Sequence, residues 1–130
     1  MSQANETQVG GSHYAGGYQH WDLMIALETP CPVVYASKYV YRWRKKNGLQ
    51  DLDKALHCLL KAEECNLQLK QNKDLVEEFL TTNKVHTNDA YVIREMLKGN
   101  YVGAMNIIKV LVIEEEECGP TPSYVNQGAE

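Results

Sequence analysis

No stretch of roughly 18 apolar residues occurs in the 130-residue chain, so no segment is suited to crossing a bilayer as a helix. Residues 1–8 are polar and lack the apolar centre of a signal peptide, which places the expected protein in the cytoplasm, away from membranes. Positive charge is not in excess either: 13 Lys and Arg stand against 17 Asp and Glu, a net charge of -4. That balance disfavours wrapping duplex nucleic acid and requires any anion site to be local. The four cysteines, Cys31, Cys58, Cys65 and Cys118, contain no Cys-x-x-Cys pair and read as reduced thiols. A zinc site assembled from His57, Cys58 and Cys65 lacks two recognisable ligand pairs, so these are expected to be ordinary helix residues and no protein metal site is expected.

What the chain does have is 44% hydrophobic content arranged with helical periodicity. The expected fold is all-α, a small multi-helix domain with a glycine-rich N-terminal loop and a C-terminal helical hairpin. Residues 1–8 and 119–130 read as tails, residues 9–72 as a helical domain and residues 73–118 as a helical extension packed on it. A short helix over residues 21–28 ends before Thr29-Pro30-Cys31-Pro32, because each proline disfavours helical geometry in the residue before it. From Pro32 a second helix places Val33, Ala36, Val40 and Trp43 on a buried stripe and Tyr35, Lys38, Arg42 and Lys45 on a separate basic face. Asn47-Gly48 stops it. A third helix starts at Gln50 or Asp51 and runs to about Gln71, turning Leu52, Leu56, Leu59 and Ala62 inward. A further amphipathic piece covers residues 75–80, after which Asn88 or Asp89 caps a hairpin of residues 90–97 and 102–116 joined at Lys98-Gly99-Asn100. Its last helix is apolar nearly all round from Met105 to Ile113. Something must cover both sides, either the rest of the domain or a second subunit, and covering it twice within so short a chain is hard, which favours a homo-oligomer.

Two segments carry chemistry. Gly10-Gly11-Ser12-His13-Tyr14-Ala15-Gly16-Gly17 packs four glycines into eight positions, so its amides can approach a ligand closely. Gly11 to Gly16 fits the opening of a phosphate-binding loop, but Gly17-Tyr18 stand where Lys-Ser or Lys-Thr is required, so it is not a Walker A loop. His13 and Tyr14 can offer a polar donor and an aromatic face to a nucleotide; a flexible tail with an incidental histidine is the plainer alternative. The second segment runs from Lys38 to Lys46 with five cations and no anion. Lys38 and Arg42, at i and i+4, share one patch suited to a di- or triphosphate. The competing reading is a solvated helix face balanced by Asp51 and Asp53.

Gly10-Gly11-Ser12-His13-Tyr14, His20-Trp21-Asp22, Lys38-Tyr39-x-x-Arg42-x-x-Lys45 and Asn47-Gly48-Leu49-x-Asp51-Leu52-x-Lys54-Ala55 resemble, in order and spacing, a family of small phage nucleotide kinases. The resemblance spans residues 9–62. It implies phosphorylation of deoxynucleoside monophosphates such as dGMP and dTMP without a Walker A motif, in the cytoplasm of an infected bacterium. It marks Gly10, Gly11, Ser12, His13, Tyr14, Lys38, Arg42, Lys45 and Lys54 as nucleotide-binding and Lys38, Arg42, His13 and Asp51 as the candidate catalytic set. The aromatic Tyr39, Tyr41 and Trp43 depart from the family pattern, and the hairpin after residue 88 lies outside it.

Two functions compete on these features. In a deoxynucleoside monophosphate kinase the glycine segment holds phosphates, Lys38 and Arg42 neutralise the transferring group, and Mg2+ oriented by Asp51 bridges donor oxygens. In a sponge that sequesters a nucleotide signal, cyclic or linear, of host antiviral defence, the same loop and cations suffice without metal or base. An all-α nucleoside triphosphate pyrophosphatase is a poorer third, because paired carboxylates on two facing helices are wanted and only Glu114 and Glu117 have the spacing.

Overall fold

The helices of this chain end at prolines, glycines and residues that tolerate left-handed backbone, and the computed structural model describes residues 17–118. Helix α1 spans His20–Ala26 and closes through Glu28, whose φ is +50°. Pro30, extended at φ -64°, caps α2, Cys31–Arg42, with Pro32 in the first turn, where a missing N–H leaves no helical bond unmade. One 3-10 turn, Trp43–Lys45, follows, and Gly48 at φ +58° caps α3, Leu49–Glu64. The expectation that this helix continues to about Gln71 is corrected: Asn66 adopts φ +50° and the Leu67 amide turns back to the Ala62 carbonyl at 3.0 Å. Asn is the usual substitute for Gly at such a helix end.

Helix α4, Lys73–Thr82, is capped by Asn72, whose side chain accepts from the Leu75 amide at 3.2 Å. Helix α5, Thr87–Leu97, starts earlier than expected. His86, rather than Asn88 or Asp89, is its cap, the ring Nδ1 accepting from the Asn88 amide at 3.2 Å. A short turn through Gly99 leads to α6, Tyr101–Cys118, and completes the C-terminal hairpin. All the regular elements among the described residues are helical.

The packing closes a ring: α2 lies on α3, α3 on α6, α6 on α5, and α5 back on α2, while α1 and α4 pair beside it. One core fills the ring, with Trp43, Leu52, Leu59, Ile93, Met96 and Ile108 fully buried. Ala36, Ala55, Ala62 and Ala104, each without exposed surface, let the helix axes approach. Tyr101 donates its hydroxyl to the Leu67 carbonyl at 2.7 Å, which pins the start of α6 to the end of α3. Helix α6 thereby turns Tyr101, Ala104, Ile108 and Leu111 inward. Its other apolar side remains about half exposed at Val102, Val110 and Ile113.

Candidate functional site

The 3.6-residue repeat that buries Val33, Ala36 and Val40 turns Tyr35, Lys38, Tyr39 and Arg42 toward the opposite side of α2. Tyr35 and Lys38 are exposed there, and Tyr39 and Arg42 partly so. Beneath them lies Asp51, a carboxylate with no exposed surface at the third position of α3. Arg42 donates Nε to Asp51 Oδ2 at 3.2 Å and Nη2 to Oδ1 at 3.4 Å. Asn47 adds its backbone amide and its side-chain amide at 3.4 and 3.3 Å. An acid reaching back from the third helical position is a capping arrangement, and here it also fixes a guanidinium. Four donors satisfy the buried carboxylate, as burial of a charge requires.

Tyr39 gathers the remaining charge. Arg42 Cζ sits 5.1 Å from the ring centroid and Lys54 Nζ 5.5 Å, so α2 and α3 each bring a cation to one aromatic ring. Arg42 keeps Nη1 outside its pairing with Asp51 and is 22% exposed. It can therefore still donate to an incoming oxyanion while Asp51 holds its plane. Lys38, one turn earlier, and Lys45 and Lys46, on and after the 3-10 turn, are exposed and make no ion pair among the described residues. The change from α-helix to 3-10 turn at Trp43 takes Lys45 off the continuous helical stripe that its spacing suggests.

Arg44 belongs to a different task. Its guanidinium forks onto buried Asp89 at 2.8 and 3.2 Å and lies 4.3 Å over the Trp43 ring, while Trp43 Nε1 donates to the same carboxylate at 3.1 Å. This cluster joins the end of α2 to α5. Its partners are 45 positions apart, so no local spacing announces it.

On the other flank of α2, His20 is largely buried. Its Nε2 lies 2.8 Å from the Ser37 hydroxyl, which itself donates to the Val34 carbonyl at 3.0 Å. The ring stacks on Tyr41 at 6.3 Å and meets Phe79 edge-on at 6.0 Å. Burial, with the Lys38 charge as a smaller second cause, pushes the His20 pKa down to about 4, so the ring is neutral near pH 7. Just before it, Tyr18 exchanges two backbone bonds with the Asn83 side chain, at 2.9 and 2.7 Å. Gly17 has φ +64°, and a Cβ there would come within 2.6 Å of Asn83 Oδ1, so a residue with a side chain would both strain the backbone and displace the Asn83 amide. The end of the glycine-rich segment is thus anchored to α4, next to the helix bearing Lys38.

Among the sequence-predicted residues, Arg42, Asp51 and Lys54 come together around Tyr39, and Lys38 stands one turn away on the same helix. Gly10, Gly11, Ser12, His13 and Tyr14 lie outside the described residues. Asp51 is a positioning residue for Arg42 here, with both oxygens engaged, which differs from the metal-orienting role expected of it. Sequence reasoning missed Tyr39 as the shared ring, Ser37 as the His20 partner and Asp89 as the acceptor for Trp43 and Arg44. Only the placement of Tyr39 three residues before Arg42 offered a local signal. No cluster of three or more His, Cys, Asp or Glu suited to a metal occurs among the described residues, and no helix there is long and apolar enough to cross a membrane. Comparison with known proteins gave no matching family model, no matching curated protein and no matching solved structure.

Proposed function

We propose that the α2 face binds a nucleotide through its phosphates and that the protein is a phage deoxynucleoside monophosphate kinase without a Walker A loop. The observation that carries this reading is the Arg42 guanidinium, oriented by a buried carboxylate yet open at Nη1, with Lys54 and Tyr39 beside it and Lys38 one turn away. A planar fork held in place suits phosphate oxygens, and an aromatic ring within the same patch suits a base or sugar. Phosphoryl transfer depends on positioning and charge stabilisation more than on covalent help, so Lys38 and Arg42 can supply the protein's electrostatic share. His13 and the glycine segment complete the phosphate cradle in this reading.

Mg2+ is the ion such a kinase uses. Asp51, the carboxylate beside the cations, has no free oxygen for it, so the described residues do not fit a preformed magnesium site at this face. That engagement favours a second reading, a non-catalytic sponge that retains a nucleotide signal of host defence. The two separate in one experiment. Purified protein is incubated with ATP, magnesium and each deoxynucleoside monophosphate, then denatured, and the nucleotides are analysed. New diphosphate is the kinase result, and tightly bound nucleotide recovered unchanged is the sponge result. Neither turnover nor retention overturns the kinase reading, and the sponge reading falls with it when a panel of cyclic and linear signal nucleotides is likewise not retained.

A further inference from the structure

Helix α2 turns one aromatic ring to solvent in line with Arg42. Seven residues nearly complete two helical turns, so Tyr35 lies within about 20° of Arg42 around the axis and about 10 Å before it along the axis. Two contacts fix how α2 and α3 run past each other. Arg42 bonds Asp51 and the Tyr39 ring receives Lys54, so three steps back on α2 match three steps forward on α3. Continued by one turn, that antiparallel register sets Tyr35 level with Cys58. An independent contact agrees: burial raises the pKa of the half-buried Cys58 thiol, and the charge of Cys31 adds to the rise, which places Cys31, one turn before Tyr35, on the same shelf.

The two tyrosines of this shelf differ in what they can offer. The Tyr39 ring is partly buried and already meets the Arg42 guanidinium at 5.1 Å and the Lys54 ammonium at 5.5 Å. Tyr35 is 49% exposed, a large planar surface turned to water. Its neighbours toward the start of α2 are the small thiols of Cys31 and Cys58, which leave room for a flat ring beside it. Toward the end of α2 follow three cations, Lys38, Arg42 and Lys54. An open ring followed by a cationic cluster has the order of a base followed by its phosphates, since any base has a face that can stack on an aromatic side chain.

We infer that Tyr35 is the stacking platform for the base of a nucleoside phosphate whose phosphates lie on Lys38, Arg42 and Lys54. The assignment rests on the nucleotide reading and adds the part of the site that a bare phosphate would not use. Its test is calorimetric titration of the wild-type, Tyr35→Ala and Tyr35→Phe proteins with dGMP, dTMP and ATP, and with inorganic tripolyphosphate as the probe without a base. Tyr35→Ala should weaken nucleotide binding about tenfold while leaving tripolyphosphate binding and the helical circular dichroism unchanged, and Tyr35→Phe, which keeps the ring, should retain wild-type affinity. Alkylation followed by mass spectrometry gives a second readout on the unmodified protein. Bound nucleotide should slow modification of exposed Cys31 several-fold relative to exposed Cys118 at the end of α6, and tripolyphosphate should not. Unchanged nucleotide affinity in Tyr35→Ala overturns the platform and leaves the phosphate reading standing. Equal loss of tripolyphosphate and nucleotide in that variant also overturns it, because the ring would then act without a base. Failure of the wild-type protein to bind any of the four probes removes the nucleotide reading and this assignment together.

Discussion

Acidification from pH 7 to pH 5 should weaken the fold by about 2 kcal/mol through His20 alone. The unfolded histidine takes its proton near pH 6.5, while the folded one holds off to about 4, mainly because protonation would charge a ring buried among Ser37, Tyr41 and Phe79. Between those values the unfolded chain binds the extra proton, so stability rises with pH. The contribution is complete above the unfolded pKa and is lost as pH falls from 6.5 toward 4, amounting to about 3 kcal/mol over the whole window. Glu77 and Glu95, whose carboxyls are held low by Arg94 and by Lys98 respectively, lose stability on acidification in the same direction, but only as pH falls through the ordinary carboxylate range and below it. They leave the range from pH 7 to 5 to His20. Urea unfolding followed by circular dichroism at pH 7, 6 and 5 measures the effect, with His20→Gln as the control that keeps a donor for Ser37. The wild-type protein should lose about 2 kcal/mol and the variant far less. Equal pH dependence in both, or a His20 imidazole that titrates near 6.5 by NMR, would refute the reasoning.

Asp51→Ala should destabilise by about 1–3 kcal/mol in urea unfolding, because it removes the shared acceptor of Arg42 and Asn47, both of which can still turn to water. Lys38→Ala, at an exposed position, should change stability by no more than about 0.5 kcal/mol in the same assay. Gly17→Ala should lower stability by about 1–3 kcal/mol in the same assay, since the added Cβ meets Asn83 Oδ1 and the positive φ is strained.

Most of the helical plan was legible because prolines and glycines mark its breaks and the apolar spacing marks its faces. Val33, Ala36, Val40 and Trp43 could be assigned to the core of α2 from their intervals alone, and the α5–α6 turn from Lys98-Gly99-Asn100. The end of α3 was misread because the stop is Asn66, which is less distinctive than a glycine, within a stretch of good helix formers. Asp89 looked like a helix cap because short acids favour that position; its real partners, Trp43 and Arg44, reach it across the fold. The basic face shows the same division. Counting charges locates the cations, but which are neutralised depends on burial: Arg42 and Arg44 are each paired with a buried aspartate, while Lys38, Lys45 and Lys46 project from the surface.

The central claim is that Lys38, Arg42 and Lys54 act together on one phosphate-bearing ligand. Isothermal titration of the wild-type, Lys38→Ala and Lys54→Ala proteins with dGMP, dTMP and ATP tests it with two substitutions that leave the Arg42–Asp51 pairing untouched. At least one nucleotide should bind the wild-type protein, and each substitution should weaken that binding about tenfold, the loss of one charge-assisted contact. Wild-type affinity in both variants, or no heat of binding with any of the three nucleotides, would contradict the account.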